Sequence, residues 1–269
     1  MITVQIKGGL GNQLFQYAYG RFLMERGVEV VFDISFYDSV HSYTKRTFSL
    51  GYFLLTKKIS FTHQKSQQVF WKRVLNKLDV DRRVRFIKKE QDKKEGVADG
   101  DYCSEKYFFE IRETLLKELA LKNESVLFKE YKSLILSSKN PTIVHARRTD
   151  YLKSKGHTIL TEEYYREARK NLEEDITIFC FSDDPEWIKD IFECEKVTVI
   201  SGKGLSDFEE LMLMSLGQNF IIANSTFSWW GAWLSQAKNK KVIAPKKWFT
   251  KKTWYRANRD IILADWVKV

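Results

Sequence analysis

In the second half of the chain, apolar residues come in short unbroken runs. Each run is followed by a polar or glycine-containing break, then by a stretch of helical period. Residues 142–146, 176–181, 196–200, 219–223 and 241–244 are such runs, rich in Ile, Val and Phe. Strands buried on both faces read this way, because neither face calls for polar alternation. Helices are predicted between them: from Thr161 to about Leu172, from Pro185 onward, over 207–217 behind Ser206, and from Asn224-Ser225-Thr226 through Ala237. The hydroxyl residues suit helix N-caps and Pro185 suits a first helical turn. Regular strand–helix alternation predicts a doubly wound α/β domain with a parallel sheet.

The first half opens in the same style and then loses it. Residues 2–6 predict a strand, Lys7 to Gly11 a glycine-rich turn, Asn12 to Arg26 a helix, and 28–33 a second strand. Asn12 is the expected N-cap and Gly27 the expected C-terminal stop. Over 35–100 the pattern is mixed, and only a helix over 66–78 and a strand near 83–88 are predicted. Helical periodicity returns from Ser104 to Leu121 and from Ser125 to Leu136. Ser137-Ser138-Lys139-Asn140-Pro141 then interrupts both periods. Two domains are therefore expected, 1–138 and 139–269.

Chemistry gathers where the second-half runs end. Thr142 to Tyr151 reads TIVHARRTDY. On an extended segment His145 and Arg147 share one face, and Arg148 and Asp150 the other. One face can present a guanidinium fork to a phosphate while the other holds an Arg–Asp pair. A plain structural ion pair is equally open at this point. Three more polar strand ends follow: Ser182 to Asp184, Ser201 to Asp207, and Asn224 to Ser228. In a parallel sheet all four fall on one edge, where ligands bind. Their residue types suit a nucleoside diphosphate. Arg147 or Arg148 can fork a phosphate, Ser225 and Thr226 can donate at a helix N-terminus, and an Asp can accept from a guanine edge. Ser201-Gly202-Lys203-Gly204 lacks the spacing of a P-loop. Trp229, Trp230 and Trp233 could form a sugar platform, but at i, i+1 and i+4 they read better as helix core.

Two other features offer alternatives. Gly9-Leu10-Gly11 supplies two glycines of the dinucleotide fingerprint GxGxxG, and Asp33 ends the second strand, so an NAD(P)-dependent oxidoreductase is a competing reading. Leu14 stands where the third glycine belongs. The triplets Asp79-Val80-Asp81 and Asp99-Gly100-Asp101 could hold a divalent ion, though chance and a simple turn explain them as well.

Composition narrows the field further. At 269 residues and 43% hydrophobic, the chain can build sizeable cores. Cys103, Cys180 and Cys194 are widely spaced, and the four His are scattered, so neither a disulfide framework nor a zinc site is expected. A reducing, cytoplasmic setting fits. The N-terminal residues do not read as a signal peptide, and no run of 18 apolar residues suggests a membrane span. The net charge of +10 suits nucleic acid, an anionic membrane surface or a phosphorylated ligand alike. A basic nucleic-acid-binding protein is thus the second competing reading.

Six segments, in order along the chain, resemble the α-1,2-fucosyltransferase family of bacteria, glycosyltransferase family 11. They are GGLGNQLFQYA at Gly8–Ala18, SEKYF at Ser104–Phe108, HARRTDYL at His145–Leu152, FSDD at Phe181–Asp184, SDFEEL at Ser206–Leu211 and NSTFSWWGAWL at Asn224–Leu234. The resemblance implies a GT-B-like α/β fold, with two Rossmann-like domains facing across a cleft and GDP-fucose held mainly by the C-terminal one. It implies inverting transfer of fucose to the 2-hydroxyl of a terminal galactoside, with no metal and no cofactor. By motif, Arg147 holds the diphosphate with Asn224, Ser225, Thr226 and Phe227, while His145 and Arg148 shape that site. Asp183, Asp184 and Asp207 are candidates for guanine or ribose contacts, and Gly11 and Asn12 lie near the fucose. Asp150 is the candidate general base by position, or else the partner of Arg148. The implied partners are GDP-fucose and a galactoside glycan acceptor of an O-antigen or similar polysaccharide, with no nucleic acid. A lipid-linked acceptor would be met if the basic chain docks peripherally on the anionic inner membrane.

Overall fold

The structure, a computed structural model, describes residues 1–38, 46–63, 94–149, 151–152, 158–192, 196–250 and 260–269. The helix expected over 66–78, the strand near 83–88, the Asp79-Val80-Asp81 triplet and Cys194 lie outside these residues. The chain divides into two compact units, Met1–Ala120 and Leu121–Val269.

The first unit begins with β1 (Ile2–Gln5), α1 (Leu10–Glu25) and β2 (Val30–Asp33). β3 (Phe61–Thr62) and β4 (Gly96–Ala98) complete a described sheet of order β3-β2-β1-β4, parallel throughout. α1 packs on β2 so closely that a Cβ on Gly20 would stand 2.5 Å from the Phe32 ring. Gly27, at φ 77, takes the left-handed turn that ends the helix. The helix starts earlier than expected. Gly9 is its N-cap, without a side-chain cap bond, and the predicted cap Asn12 already lies in its first turn. The helix expected over Ser104 to Leu121 is broken as well. Short 3₁₀ turns at Glu105–Tyr107 and Phe109–Ile111 precede α2 (Arg112–Glu118). Ser104 does cap the first of these turns, accepting from the Lys106 N–H at 3.4 Å.

The second unit starts with α3 (Val126–Ser137), capped by Ser125. It had been expected in the first domain. The Ser125 N–H donates to Glu209 at 3.3 Å, and α3 packs on α6 (Asp207–Met214). The division between the units therefore falls at Ala120, before α3, rather than at the Ser/Pro segment after it.

Then come β5 (Pro141–Ala146), α4 (Glu162–Arg169), β6 (Thr177–Ser182), α5 (Pro185–Ile191) and β7 (Val197–Val199). After α6 the chain continues through β8 (Asn219–Ile221), α7 (Thr226–Leu234), β9 (Lys241–Ala244) and β10 (Val267–Lys268). The described sheet has the order β10-β9-β8-β5-β6-β7 and is parallel at every pairing. β5 and β6 are buried at every residue, the signature of a strand covered on both faces. Trp229, Trp230 and Trp233 are buried in the core of this unit, as their spacing suggested. Trp229 Nε1 donates to the Ile261 carbonyl at 2.5 Å, giving a buried polar edge its partner.

Each unit is thus a Rossmann-like α/β layer with a parallel sheet, the fold class expected. Among the described residues, no helix is long and apolar enough to cross a membrane.

Candidate functional site

Strand order locates the site. From β5 the chain runs outward to β6 and β7, then returns to lay β8 on the other side of β5. β5 and β8 therefore flank the point where the sheet order reverses, and the loops leaving them diverge to leave a crevice. The loop after β5 carries Arg147, Arg148 and Thr149. The loop after β8 carries Asn224 and Ser225 and opens α7. Tyr151 ties the two together, its hydroxyl donating to the Asn224 carbonyl at 3.2 Å.

Asp183, at the end of β6, shapes the first loop. It accepts from the Arg148 N–H at 2.8 Å, the Thr149 N–H at 3.2 Å and the Thr149 hydroxyl at 2.6 Å. The Arg147 Nε lies 3.5 Å from the same carboxylate. Asp184 pairs with Arg148, Nε to Oδ2, at 3.1 Å. Both acids were expected as nucleotide contacts. In the structure Asp183 binds the loop backbone and Asp184 pairs with Arg148. Asp184 also fills the bracing role open to Asp150, which itself lies outside the described residues. Behind Asp184, the Ser182 Oγ accepts its N–H at 2.9 Å. The Ser182 N–H reaches Ser201, whose hydroxyl donates to Glu210 at 2.9 Å. Burial keeps the Glu210 carboxyl above its ordinary pKa, with Asp207 adding to the rise against the Ser201 bond.

His145, the last polar residue of β5, is 5% exposed. Burial, reinforced by the nearby Arg147 charge, pulls its pKa down to about 3, against a smaller opposite pull from Asp183. The imidazole is therefore held in its neutral form at ordinary pH. Its Nδ1 is buried without a hydrogen-bond partner, and its ring centroid lies 5.9 Å from that of Phe227 in the first turn of α7. Tyr165 fixes the strand end by donating to the His145 carbonyl at 3.1 Å.

On the other loop, Ser225 caps α7 and accepts from the Phe227 N–H at 3.4 Å. The first turn of this nine-residue helix carries no acid, so its partial positive charge is not neutralised from within. Asn224 is 1% exposed. Its Nδ2 donates to the Thr158 carbonyl at 2.9 Å and the Trp248 carbonyl at 2.8 Å. It therefore pins two neighbouring segments, and its Oδ1 is buried without a hydrogen-bond partner. Asp207 is the exposed first residue of α6, next to a capping box of Ser206 and Glu209.

The first unit also places its motif at a strand end. Gly8, at φ 82, turns the chain out of β1, and its carbonyl accepts from Tyr37 at 3.0 Å and from Gln13 at 3.2 Å. Gln13 also donates to the Thr47 carbonyl at 2.8 Å and accepts from the Ser49 N–H at 2.9 Å. Gln16 accepts from the Lys7 N–H at 2.8 Å. Both glutamines are fully buried. Sequence reasoning passed over them; the available signal was two polar residues at i and i+3 on an otherwise apolar helix. Gly11 and Asn12 lie in the first turn of α1, Gly11 buried and Asn12 partly exposed. Asp99 of the second Asp-x-Asp triplet pairs with Lys7. Among the described residues, no cluster of three or more His, Cys, Asp or Glu is placed to hold a metal. Asp33, the ribose-binding candidate, turns its Oδ1 back to the Ser35 N–H at 2.9 Å.

Known proteins match most of the chain. The model of Glycosyl transferase family 11 matches residues 1–269. The O-antigen biosynthesis glycosyltransferase WbnK of Escherichia coli is 30% identical, over 91% of this chain and 93% of its own. An alpha-1,2-colitosyltransferase of Escherichia coli is 32% identical, over 93% and 92%. In fold, the chain is similar to the crystal structure of the fucosyltransferase NodZ from Bradyrhizobium, with a TM-score of 0.53 at 15% identity, covering 87% of this chain and 92% of that one. A crystal structure of NodZ alpha-1,6-fucosyltransferase soaked with GDP-fucose gives the same TM-score at 14% identity, covering 89% and 96%.

Proposed function

The chain belongs to glycosyl transferase family 11, and from that premise we propose that it transfers L-fucose from GDP-fucose to the 2-hydroxyl of a terminal galactoside, with inversion. Family membership makes it a glycosyltransferase. The observation that carries the donor reading is the convergence at the β5/β8 crevice. Two guanidiniums leave one strand end, and an acid-free helix N-terminus opens beside the other. A diphosphate meets both kinds of positive charge there.

The chemistry follows from that placement. The acceptor oxygen forms a bond to fucose C1 as the bond from C1 to the β-phosphate oxygen breaks, and GDP departs with the electron pair. Negative charge grows on the β-phosphate. Arg147 and the N–H groups of the α7 first turn stabilise it without a divalent ion. The hydroxyl proton passes to a base, for which Asp150 is our candidate from its place in the motif. Neutral His145 lines the crevice and leaves the charge to the arginines. Gly11 and Asn12 of the first unit are proposed to face the fucose. The 1,2 linkage and the surface-polysaccharide setting are supported by the names of the two relatives, one a 1,2-transferase and one of O-antigen biosynthesis. A peripheral station at an anionic membrane, supported by the net charge of +10, would bring the enzyme to lipid-linked acceptors.

The relative named for colitose keeps one donor alternative concrete. The test is incubation with GDP-fucose or GDP-colitose and a panel of galactosides, with linkage read by NMR. An α-1,2-fucosyl product formed in excess EDTA is expected. Colitose transfer alone would replace the donor. Activity lost with EDTA and restored by Mg²⁺ or Mn²⁺ would replace the metal-free mechanism.

A further inference from the structure

A tryptophan on α5 bears on the arginine pair, although it lies in none of the six motifs. The guanidinium carbon of Arg148 sits 3.8 Å from the centroid of the Trp187 ring. That ring is itself held: Tyr165 meets it edge-on at 5.6 Å, and it packs against the core of the second unit. Tyr165 is the residue that fixes the His145 carbonyl. Arg148 is then constrained from three sides. Its N–H is bound by Asp183, its Nε by Asp184 and its face by Trp187. All of these contacts use the backbone, the Nε edge or the flat face. Among the described residues, the two terminal amino groups of Arg148 make no hydrogen bond. The side chain is 21% exposed.

A guanidinium presents five N–H donors in a fixed fork, and a ring beneath its central carbon limits how far that fork can move. With Nε tied to Asp184, the plane and the rotation of the fork are both set before any ligand arrives. Ordering such a side chain in advance removes an entropy cost that binding would otherwise carry. The alternative, that Trp187 merely fills core volume, does not call for a cation on its face or for a second acid aligning that cation.

We propose that Trp187 is a positioning residue for the donor diphosphate: it stacks Arg148 so that the terminal fork of that arginine, alongside Arg147, meets the phosphates. This rests on the GDP-sugar reading above. It extends that reading by giving the phosphates a second, pre-oriented arginine and by naming what orients it.

Calorimetric titration of the full chain with GDP and with guanosine tests the proposal. Wild type is expected to bind GDP much more tightly than guanosine; failure to bind GDP at all would overturn the donor reading and this inference with it. W187L is expected to weaken GDP about tenfold, in the range of a lost cation–π contact, and to leave guanosine unchanged. W187F keeps a ring and is expected to stay within about threefold of wild type for the same reason. In an R148A background, W187L and W187F should have no further effect on GDP. With transfer assayed, W187L should raise KM for GDP-fucose more than it lowers kcat. GDP binding intact in wild type but unaltered in W187L overturns the inference alone. So does an equal loss of GDP and guanosine, or the same loss with and without Arg148. If W187L does not fold, the comparison of W187F with and without Arg148 decides, and identical losses in the two backgrounds overturn the proposal.

Discussion

Both units place a polar loop at the C-terminal end of a central parallel strand, and the two loops are built differently. At β1, the polar groups answer one another. Gln13 and Gln16 bond loop backbone, Lys7 pairs with Asp99, and the glutamines are fully buried. At β5, Asp183 binds the loop backbone and, with Asp184, pairs with two arginines that stay 28% and 21% exposed. The same topological address thus serves two ends. The first loop is held in shape by hydrogen bonds from Gln13 and to Gln16, although Gln16 Nε2 is buried without a partner. The second sets two partly exposed guanidiniums, each paired with an acid, beside an acid-free helix N-terminus, where the terminal amino groups of Arg148 and the first turn of α7 can meet an anion.

The contrast can be broken at its strongest point first. Arg147→Ala should reduce fucose transfer about 10²–10³-fold, the scale of losing one transition-state donor. Its thermal melt should stay close to that of the parent, because the side chain is partly exposed. Near-normal turnover would remove Arg147 from the diphosphate. Asp183→Ala strips acceptors from two backbone N–H groups and a hydroxyl. It should cost about 1–3 kcal/mol of stability and also weaken GDP binding, since the loop that aims both arginines loses its support. A lower melting temperature with unchanged GDP affinity would separate loop shape from function.

Gln13→Ala probes the other side of the comparison. It too should cost about 1–3 kcal/mol, because it orphans the buried Ser49 N–H and removes the Gln13 donor from the Thr47 carbonyl, while the Gly8 carbonyl keeps Tyr37. GDP affinity should hardly move. A loss in GDP affinity as large as that of Arg147→Ala would erase the distinction between the loops.

The last expected effect is one of pH, read as a slope and not as a loss of binding or transfer. His145 has a folded pKa of about 3, below its unfolded value, so between these values the unfolded chain binds more protons. Its contribution to stability is complete above the unfolded value of about 6.5 and is lost as pH falls toward 3, with a slope of at most about 1.4 kcal/mol per pH unit. Denaturant titrations from pH 7 to 4 should show that decline, and a His145→Asn variant should show a shallower one. Identical pH slopes in the two proteins would mean that His145 is not held neutral by burial.

The second unit was legible because its strands are covered on both faces and so appear as continuous apolar runs. The first was less so. β3 and β4 have two and three residues, and β10 has two, too few for any period to show. Asn12 looked like a cap from residue type alone, yet Gly9 opens the helix because its carbonyl accepts from the Asn12 and Gln13 N–H groups. At the site, the sequence identified the charged residues but not their pairing. The pairing of Asp183 and Asp184 with Arg147 and Arg148 had no signal in the sequence, since only three-dimensional register sets these residues opposite one another. Trp187 carried no signal at all, because stacking on Arg148 depends on how α5 packs against the end of β5. The family motifs supplied what spacing could not, a specific anion for the Arg147 loop.

The central claim is that the β5/β8 crevice receives the diphosphate. Amide hydrogen exchange with and without GDP tests it directly. Protection is expected at Arg148 and Thr149 and at Thr226 to Ser228 in the first turn of α7, with residues 8–13 of the first unit unchanged. GDP-dependent protection confined to residues 8–13, with the two crevice loops unaffected, would contradict the account.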